Sequence, residues 1–228
     1  MESSIKLMHT KDNSTPAMDH QDLKLKSDLH ISRKIWHCLG ISSMAAFYLY
    51  FGHFKAWVAL LTLMALALPF DIFRQRHPQL NKFAIRMFGP LMRKSESHSL
   101  SGTTYLLMGT FVLLLFRDKH LIVLTLLFLA FGDPFASFFG VRFGKDRILN
   151  NKTLQGTLAA FAVCTTVSAL YFYATNIMTE RLLIVAPISG LIGALSELIP
   201  IGKLDDNLTF PIIAASLLWV LFKVYGGV

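Results

Sequence analysis

The residue best placed to do chemistry in this chain is Asp133. It follows the apolar run Leu121–Ala130, and a carboxylate at such a position in a membrane segment is unfavourable unless paired, solvated or bound to a metal. On an ideal helix Asp133, Ser137, Gly140 and Gly144 lie along one stripe, with Gly132 just before the acid. Ala136, Gly140 and Gly144 also form the small-xxx-small pattern of close helix packing, and the two uses are compatible. A basic stretch follows, carrying Arg142, Lys145, Arg147 and Lys152, before an apolar run resumes at Gly156. Thr153 suits an N-cap there. Open first-turn amides and the positive helix end favour a phosphate beside the Lys152 ammonium. Lysine before a membrane helix is equally an ordinary interfacial anchor.

A second acidic group has Glu197 at the end of one apolar run and Asp205, Asp206 and Asn207 at the start of the next, with Pro200 and Gly202 turning the chain between. These are hard oxygen ligands suited to Mg²⁺, together with Asp133, although Asp206 or Asn207 also fits a plain helix cap. Arg33, Lys34 and His37 open the first apolar run, Arg33 and His37 being four apart on one face. Arg74, Arg76 and His77, then Glu96, His98, Ser101, Gly102 and Thr103, are weaker candidates. No G-x-x-x-x-G-K-[ST] occurs, so a nucleotide site here is not a P-loop. The residues point to phosphate chemistry at a membrane face, with Lys152 as a point charge, although Arg33 and Lys34 equally satisfy the charge rule for membrane topology.

The elements that must position these groups are membrane helices. Of the 228 residues 54% are hydrophobic and 16% charged, well under the quarter or so that soluble domains carry. Seven spans are expected: Ile35–Phe51, Ala56–Phe70, Leu100–Phe116, Leu121–Gly140, Gly156–Tyr173, Leu182–Ile199 and Leu208–Val224. That is an all-α polytopic membrane bundle. Residues 1–22 read as a disordered lead, and 23–228 as a single transmembrane catalytic domain. Leu25, Leu29, Ser32 and Trp36 share a helical face and suggest a short interfacial helix before the first span. Leu80, Phe83, Ala84, Met87 and Leu91 predict a second interfacial helix near 79–92, with Lys82 and Arg86 off its stripe. Cys38 and Cys164 lie within apolar runs and suit neutral buried thiols rather than a disulfide. No secretory signal is expected.

Seventeen of the Lys and Arg residues fall on one side of these spans and five on the other. The positive-inside rule therefore gives a cytoplasmic N-terminus and an external C-terminus. It also absorbs the net charge of +8, which would otherwise suggest nucleic acid. Arg33, Arg74, Gly102, Asp133, Lys152, Glu197 and Asp206 all come out at cytoplasmic span ends.

At these residues the sequence resembles the CTP-dependent lipid-alcohol kinases, a family that includes diacylglycerol kinase of the fungal type, phytol kinase and dolichol kinase. The matching pieces are Arg33-Lys34-x-x-His37, Ser101-Gly102-Thr103, Gly132-Asp133, Ala136, Gly140, Gly144, Lys152-Thr153-x-x-Gly156, Glu197 and Asp205-Asp206-Asn207. They run from Arg33 to Pro211. The resemblance implies CTP as phosphate donor, a divalent cation and a membrane lipid hydroxyl as acceptor. It also implies an integral protein of a bacterial inner membrane or the endoplasmic reticulum with its site facing the cytoplasm; an oligomer is compatible with it. The related phosphatidate cytidylyltransferases carry a Lys-Asp pair followed by His-Gly-Gly. Here Lys145-Asp146-Arg147 is present and His-Gly-Gly is not. A transporter is a third reading, but transporters gather polar groups near the bilayer midplane, whereas these gather at one face.

Overall fold

A computed structural model describes residues 31–149, 152–202 and 204–227. The expected disordered lead, Leu25 and Leu29 of the first interfacial helix, and Lys203 lie outside these residues.

The long helix α1 (Ile31–Arg76) is one element only by its ends, because Gly52 interrupts it at φ 78° and ψ 176°. That backbone is open to glycine and strained for other residues. The two arms, residues 31–51 and 53–76, then face each other, with Arg33 and Arg74 bordering one cavity and Tyr48 and Ala56 another. The first two expected spans are these arms. The second continues past Phe70, so Asp71 and Arg74 belong to the helix and not to a following loop.

Helix α2 (Pro78–Phe88) starts at a proline in its first turn, where no amide is needed. It falls where an interfacial helix was expected, but the stripe divides differently. Asn81, Ala84 and Ile85 are buried against the protein, while Phe83, Met87 and Phe88 face outward. Helix α3 (Gly102–Leu114) is capped by Ser101, whose side chain accepts from the Thr104 amide.

Helix α4 (Lys119–Leu127) runs through a π turn (Phe128–Gly132) into α5 (Asp133–Phe143). This is the central rod of the bundle: Leu121 to Leu124, Leu126 and Phe128 to Ala130 are each at most 1% exposed, and a helix apolar all round is one surrounded by others.

The basic stretch expected as a loop contains an antiparallel hairpin of β1 (Arg147–Leu149) and β2 (Lys152–Thr153), with Arg147 opposite Thr153 and Leu149 opposite Lys152. Helices α6 (Leu154–Thr175), α7 (Leu182–Leu198) and α8 (Asp206–Tyr225) complete the bundle. Gly190 and Gly193 of α7 lie directly on Thr165 and Cys164 of α6, leaving no room for a Cβ.

The described chain is thus an all-α bundle of seven helical arms with one small hairpin. Five helices, Ile31–Arg76, Lys119–Phe143, Leu154–Thr175, Thr179–Leu198 and Asp206–Tyr225, are long and apolar enough to cross a membrane; Gly102–Leu114 is apolar but shorter. Outward-facing Leu, Phe and Val side chains such as Leu66, Leu158, Leu170 and Leu183 are consistent with an integral membrane protein. The odd number of arms puts the start of α1 and the end of α8 at opposite ends.

Candidate functional site

The π turn before Asp133 has a local cause. Pro134 has no N–H to give to the carbonyl of Leu129 five residues back, so that oxygen needs another donor. His37 of α1 supplies it: Nε2 lies 3.1 Å from the Leu129 oxygen, which fixes the proton on Nε2. The same nitrogen is 3.8 Å from Oδ2 of Asp133. One turn earlier on α1, Lys34 donates to the hydroxyl of Ser137, one turn after Asp133. Two helices therefore meet through matched pairs, Lys34 and His37 facing Ser137 and Asp133. Asp133 and Ser137 thus share a face as their spacing predicts, whereas Gly140 and Gly144 of the same expected stripe lie against Thr153.

Lys152 reaches the same end of the bundle from the hairpin. Its Nζ is 3.2 Å from a Glu197 carboxylate oxygen and 3.6 Å from Oδ2 of Asp206, and it donates to the backbone oxygen of Glu197. The last turn of α7 and the first turn of α8 are thus tied to the start of α6. Burial alone lowers the ammonium's affinity for its proton. The carboxylates of Glu197, Asp206 and Asp133 more than offset that, so its pKa stands above the usual lysine value and the group is a cation. Asp133 lies within Coulombic range of Lys152, Lys34 and Arg93 as well as His37. Asp133, Lys152, Glu197 and Asp206 therefore form one electrostatic unit drawn from four separate elements.

Beside it, Arg33 donates to Glu96 at 2.6 Å and to the Leu91 oxygen at 2.9 Å. Gly102 sits against the Arg33 guanidinium, and its carbonyl accepts from the Asn207 side chain at 3.2 Å. Any Cβ at Gly102 would strike both. Asp205 is the N-cap of α8, accepting from the Asn207 amide at 2.9 Å, with Arg93 3.4 Å from its other oxygen.

Several expected residues are occupied elsewhere. Arg74 spends its fork on Asp71, on Asn81 at 3.1 Å and on the Ser99 oxygen at 2.7 Å. Gly140, Gly144 and Gly156 lie where α5 crosses the start of α6: Cβ atoms on them would meet Thr153, the Gly140 carbonyl and the Ala136 carbonyl respectively. Thr153 caps α6 as expected by accepting from the Gly156 amide at 3.2 Å, and the Leu154 amide goes to Asp146. Two of the amides expected to be open thus have protein partners. Gly132 packs on Cys164. Lys145 is exposed, its backbone amide held by Gln155, and Thr103 is exposed at the first turn of α3.

Three groups escaped the sequence reading or were weighted too low. Asp71 accepts from Arg74, from the Ser101 amide at 2.6 Å and from the Thr104 hydroxyl at 2.7 Å. It stood at the end of an apolar run just as Asp133 does, and that signal applied to both. Arg93 was hidden among other loop cations. Glu96, weighted low as a loop acid, is buried as the partner of Arg33.

Over 161 residues the chain is 31% identical to CTP-dependent diacylglycerol kinase 1 of Schizosaccharomyces pombe, an alignment that takes in 66% of this chain and 74% of that protein. The chain belongs to the CTP-dependent diacylglycerol kinase family. The protein of the same name in Eremothecium gossypii is 29% identical over 206 residues, covering 81% of this chain and 65% of its own length. An uncharacterized protein of Rickettsia prowazekii is 24% identical over 188 residues, with 81% and 91% covered. No family model and no solved structure matches the chain.

Membership in this family implies a divalent cation, and the side chains present allow a partial fit. Among the described residues no three His, Cys, Asp or Glu side chains are arranged to hold a metal by themselves. Glu197 and Asp206, bridged by one lysine, are instead the sparse carboxylate set that Mg²⁺ uses when substrate phosphates and water complete its shell.

Proposed function

We propose that the protein transfers the γ-phosphate of CTP to the hydroxyl of a membrane lipid alcohol, diacylglycerol first among them, at the cytoplasmic face. The single observation carrying this reading is the convergence of Asp133, Lys152, Glu197 and Asp206 from separate elements on one end of the bundle. Kinship with proteins named CTP-dependent diacylglycerol kinase supplies the nucleotide and the acceptor class.

In-line transfer asks the protein mostly to position groups and to neutralise charge. The lipid hydroxyl oxygen attacks the γ-phosphorus, its proton passes to the Asp133 carboxylate, and the bond between the γ-phosphorus and the β,γ-bridging oxygen breaks to release CDP. Lys152 meets phosphate oxygens as a point charge, with Lys34 and Arg33 adding to the cationic side. His37, which presents Nε2–H towards Leu129 and Asp133, orients the carboxylate. Mg²⁺, when bound by Glu197, Asp206 and phosphate oxygens, supplies neutralisation of the charge that develops on the leaving diphosphate.

The test is product analysis on the purified full chain in nanodiscs, supplied with CTP, Mg²⁺, phosphatidate and a panel of lipid alcohols. Phosphorylated lipid and CDP in equal amounts are expected. Pyrophosphate and a CDP-lipid formed from phosphatidate would contradict it, as would the absence of any lipid product.

A further inference from the structure

The two arms of α1 enclose a cavity of about 410 Å³, closed on its other sides by α2 and α3. Its polarity is graded. At the site end it is bordered by the Arg33–Glu96 ion pair, His37 and Asn207; further in, by Met44, Leu63, Ala67 and Leu107. A second, almost wholly apolar recess of about 280 Å³ shares Met44 and Leu63 with it and continues to Tyr48 and Leu114. From Arg33 to Tyr48 the helix rises about 22 Å, more than the ~15 Å hydrocarbon depth of one leaflet. One residue joins this passage to the carboxylate: His37 lines the cavity, and its Nε2 is 3.8 Å from Asp133.

We propose that this cavity seats one hydrocarbon tail of the lipid alcohol between the arms of α1, presenting the hydroxyl past His37 to Asp133. The proposal rests on the kinase reading above and adds to it where the acceptor lies and what limits its size. An apolar passage with a polar mouth matches a long tail bearing a small polar head. Its polar mouth opens one imidazole away from the group assigned to take the proton. The break at Gly52 is what turns the chain so that the two arms form facing walls of the cavity.

Gly40 makes the idea testable. It lines the cavity one turn below His37, and nothing lies within 4 Å of the place its Cβ would occupy. A first side-chain carbon there meets no neighbour, and a large side chain built on it extends into the passage. In nanodiscs, a diacylglycerol carrying a diazirine midway along one tail is photolysed with the full-length protein, and the adducts are mapped by mass spectrometry. Adducts are expected on the cavity walls around Leu63, Ala67 and Leu107. Gly40→Phe is expected to remove them and to raise the KM for diacylglycerol about tenfold or more, the consequence of displacing a few buried methylenes. CTP binding should be unaffected in Gly40→Phe, since Gly40 lies outside the charged cluster.

Adducts confined to outward faces such as that of α6, or a Gly40→Phe protein with unaltered labelling and KM, would overturn the seat while leaving the kinase reading standing. Labelling within the cavity by a protein that forms no phosphorylated lipid from CTP would defeat the kinase reading, and the acceptor role with it. Should Gly40→Phe fail to fold, shown by lost CTP binding, the wild-type adduct map decides alone.

Discussion

Two clusters that each pair carboxylate with cation lie at one end of this bundle and have opposite characters. Around Asp71, a carboxylate and an arginine are 4% and 2% exposed, and every donor and acceptor is matched: Arg74, the Ser101 amide and Thr104 on the acid, Asn81 and Ser99 on the base. Around Asp133 and Lys152 the side chains of His37, Asp133, Lys152, Glu197 and Asp206 are 10–23% exposed, and Lys152 bridges two carboxylates. A sealed, saturated pair holds helices in place. A partly open group is one that a cation and phosphates can reach from solvent. Carboxylates at the ends of apolar runs are thus told apart by how far the surroundings close over them.

The widest separation between the clusters is expected from Asp133→Asn. It should lower phosphate transfer about 10²- to 10⁴-fold, the range for removing a general base, while the melting temperature of the purified protein stays near wild type. Retention of transfer by the folded variant would remove Asp133 from the chemistry. Lys152→Met is next, with a loss of about 10²-fold, read with labelled CTP and diacylglycerol. Arg74→Met should reverse the pattern. Leaving Asp71 buried and unpaired costs about 3–5 kcal/mol, so folded yield and melting temperature fall, while activity per folded molecule stays within a few-fold. If that activity instead drops as far as in Lys152→Met, the division between the clusters is wrong.

Smaller effects sharpen the boundary. Asp205→Ala removes the N-cap of α8 and should cost about 1 kcal/mol of stability, measured by thermal unfolding, with only a modest change in turnover because Asp205 caps and Asp206 faces Lys152. The Lys152 pKa is raised, so its ion pairs are complete below the ordinary lysine range and are lost only as pH climbs through the elevated value. Thermal stability should therefore show no inflection from titration of the Lys152 ammonium at any pH below the ordinary lysine range.

Much of this arrangement was written in the pattern of residues. Apolar runs and their charged ends marked the seven arms, because a bilayer demands uninterrupted helices. The Asp133–Ser137 spacing put both residues on one helical face; that Lys34 and His37 stand opposite is given by the fold. Other features depended on partners distant in sequence. Arg74 looked like a phosphate ligand until Asn81 and Ser99 filled its fork, and nothing local to the sequence announces those bonds. The glycines of α5 fitted a nucleotide approach and helix packing equally well; in the fold they lie against Thr153 and Gly156. The hairpin around Lys152 is too short and too polar to carry a period of two, so it read as a loop.

The most direct test compares CTP binding by the purified protein with Mg²⁺ present in Lys152→Met and Arg74→Met, each assayed at a temperature where it is folded. The account predicts that Lys152→Met weakens CTP by about tenfold or more, as the loss of a charged phosphate contact should, and that Arg74→Met stays within about twofold of wild type. Equal weakening in both, or loss in Arg74→Met alone, would contradict it.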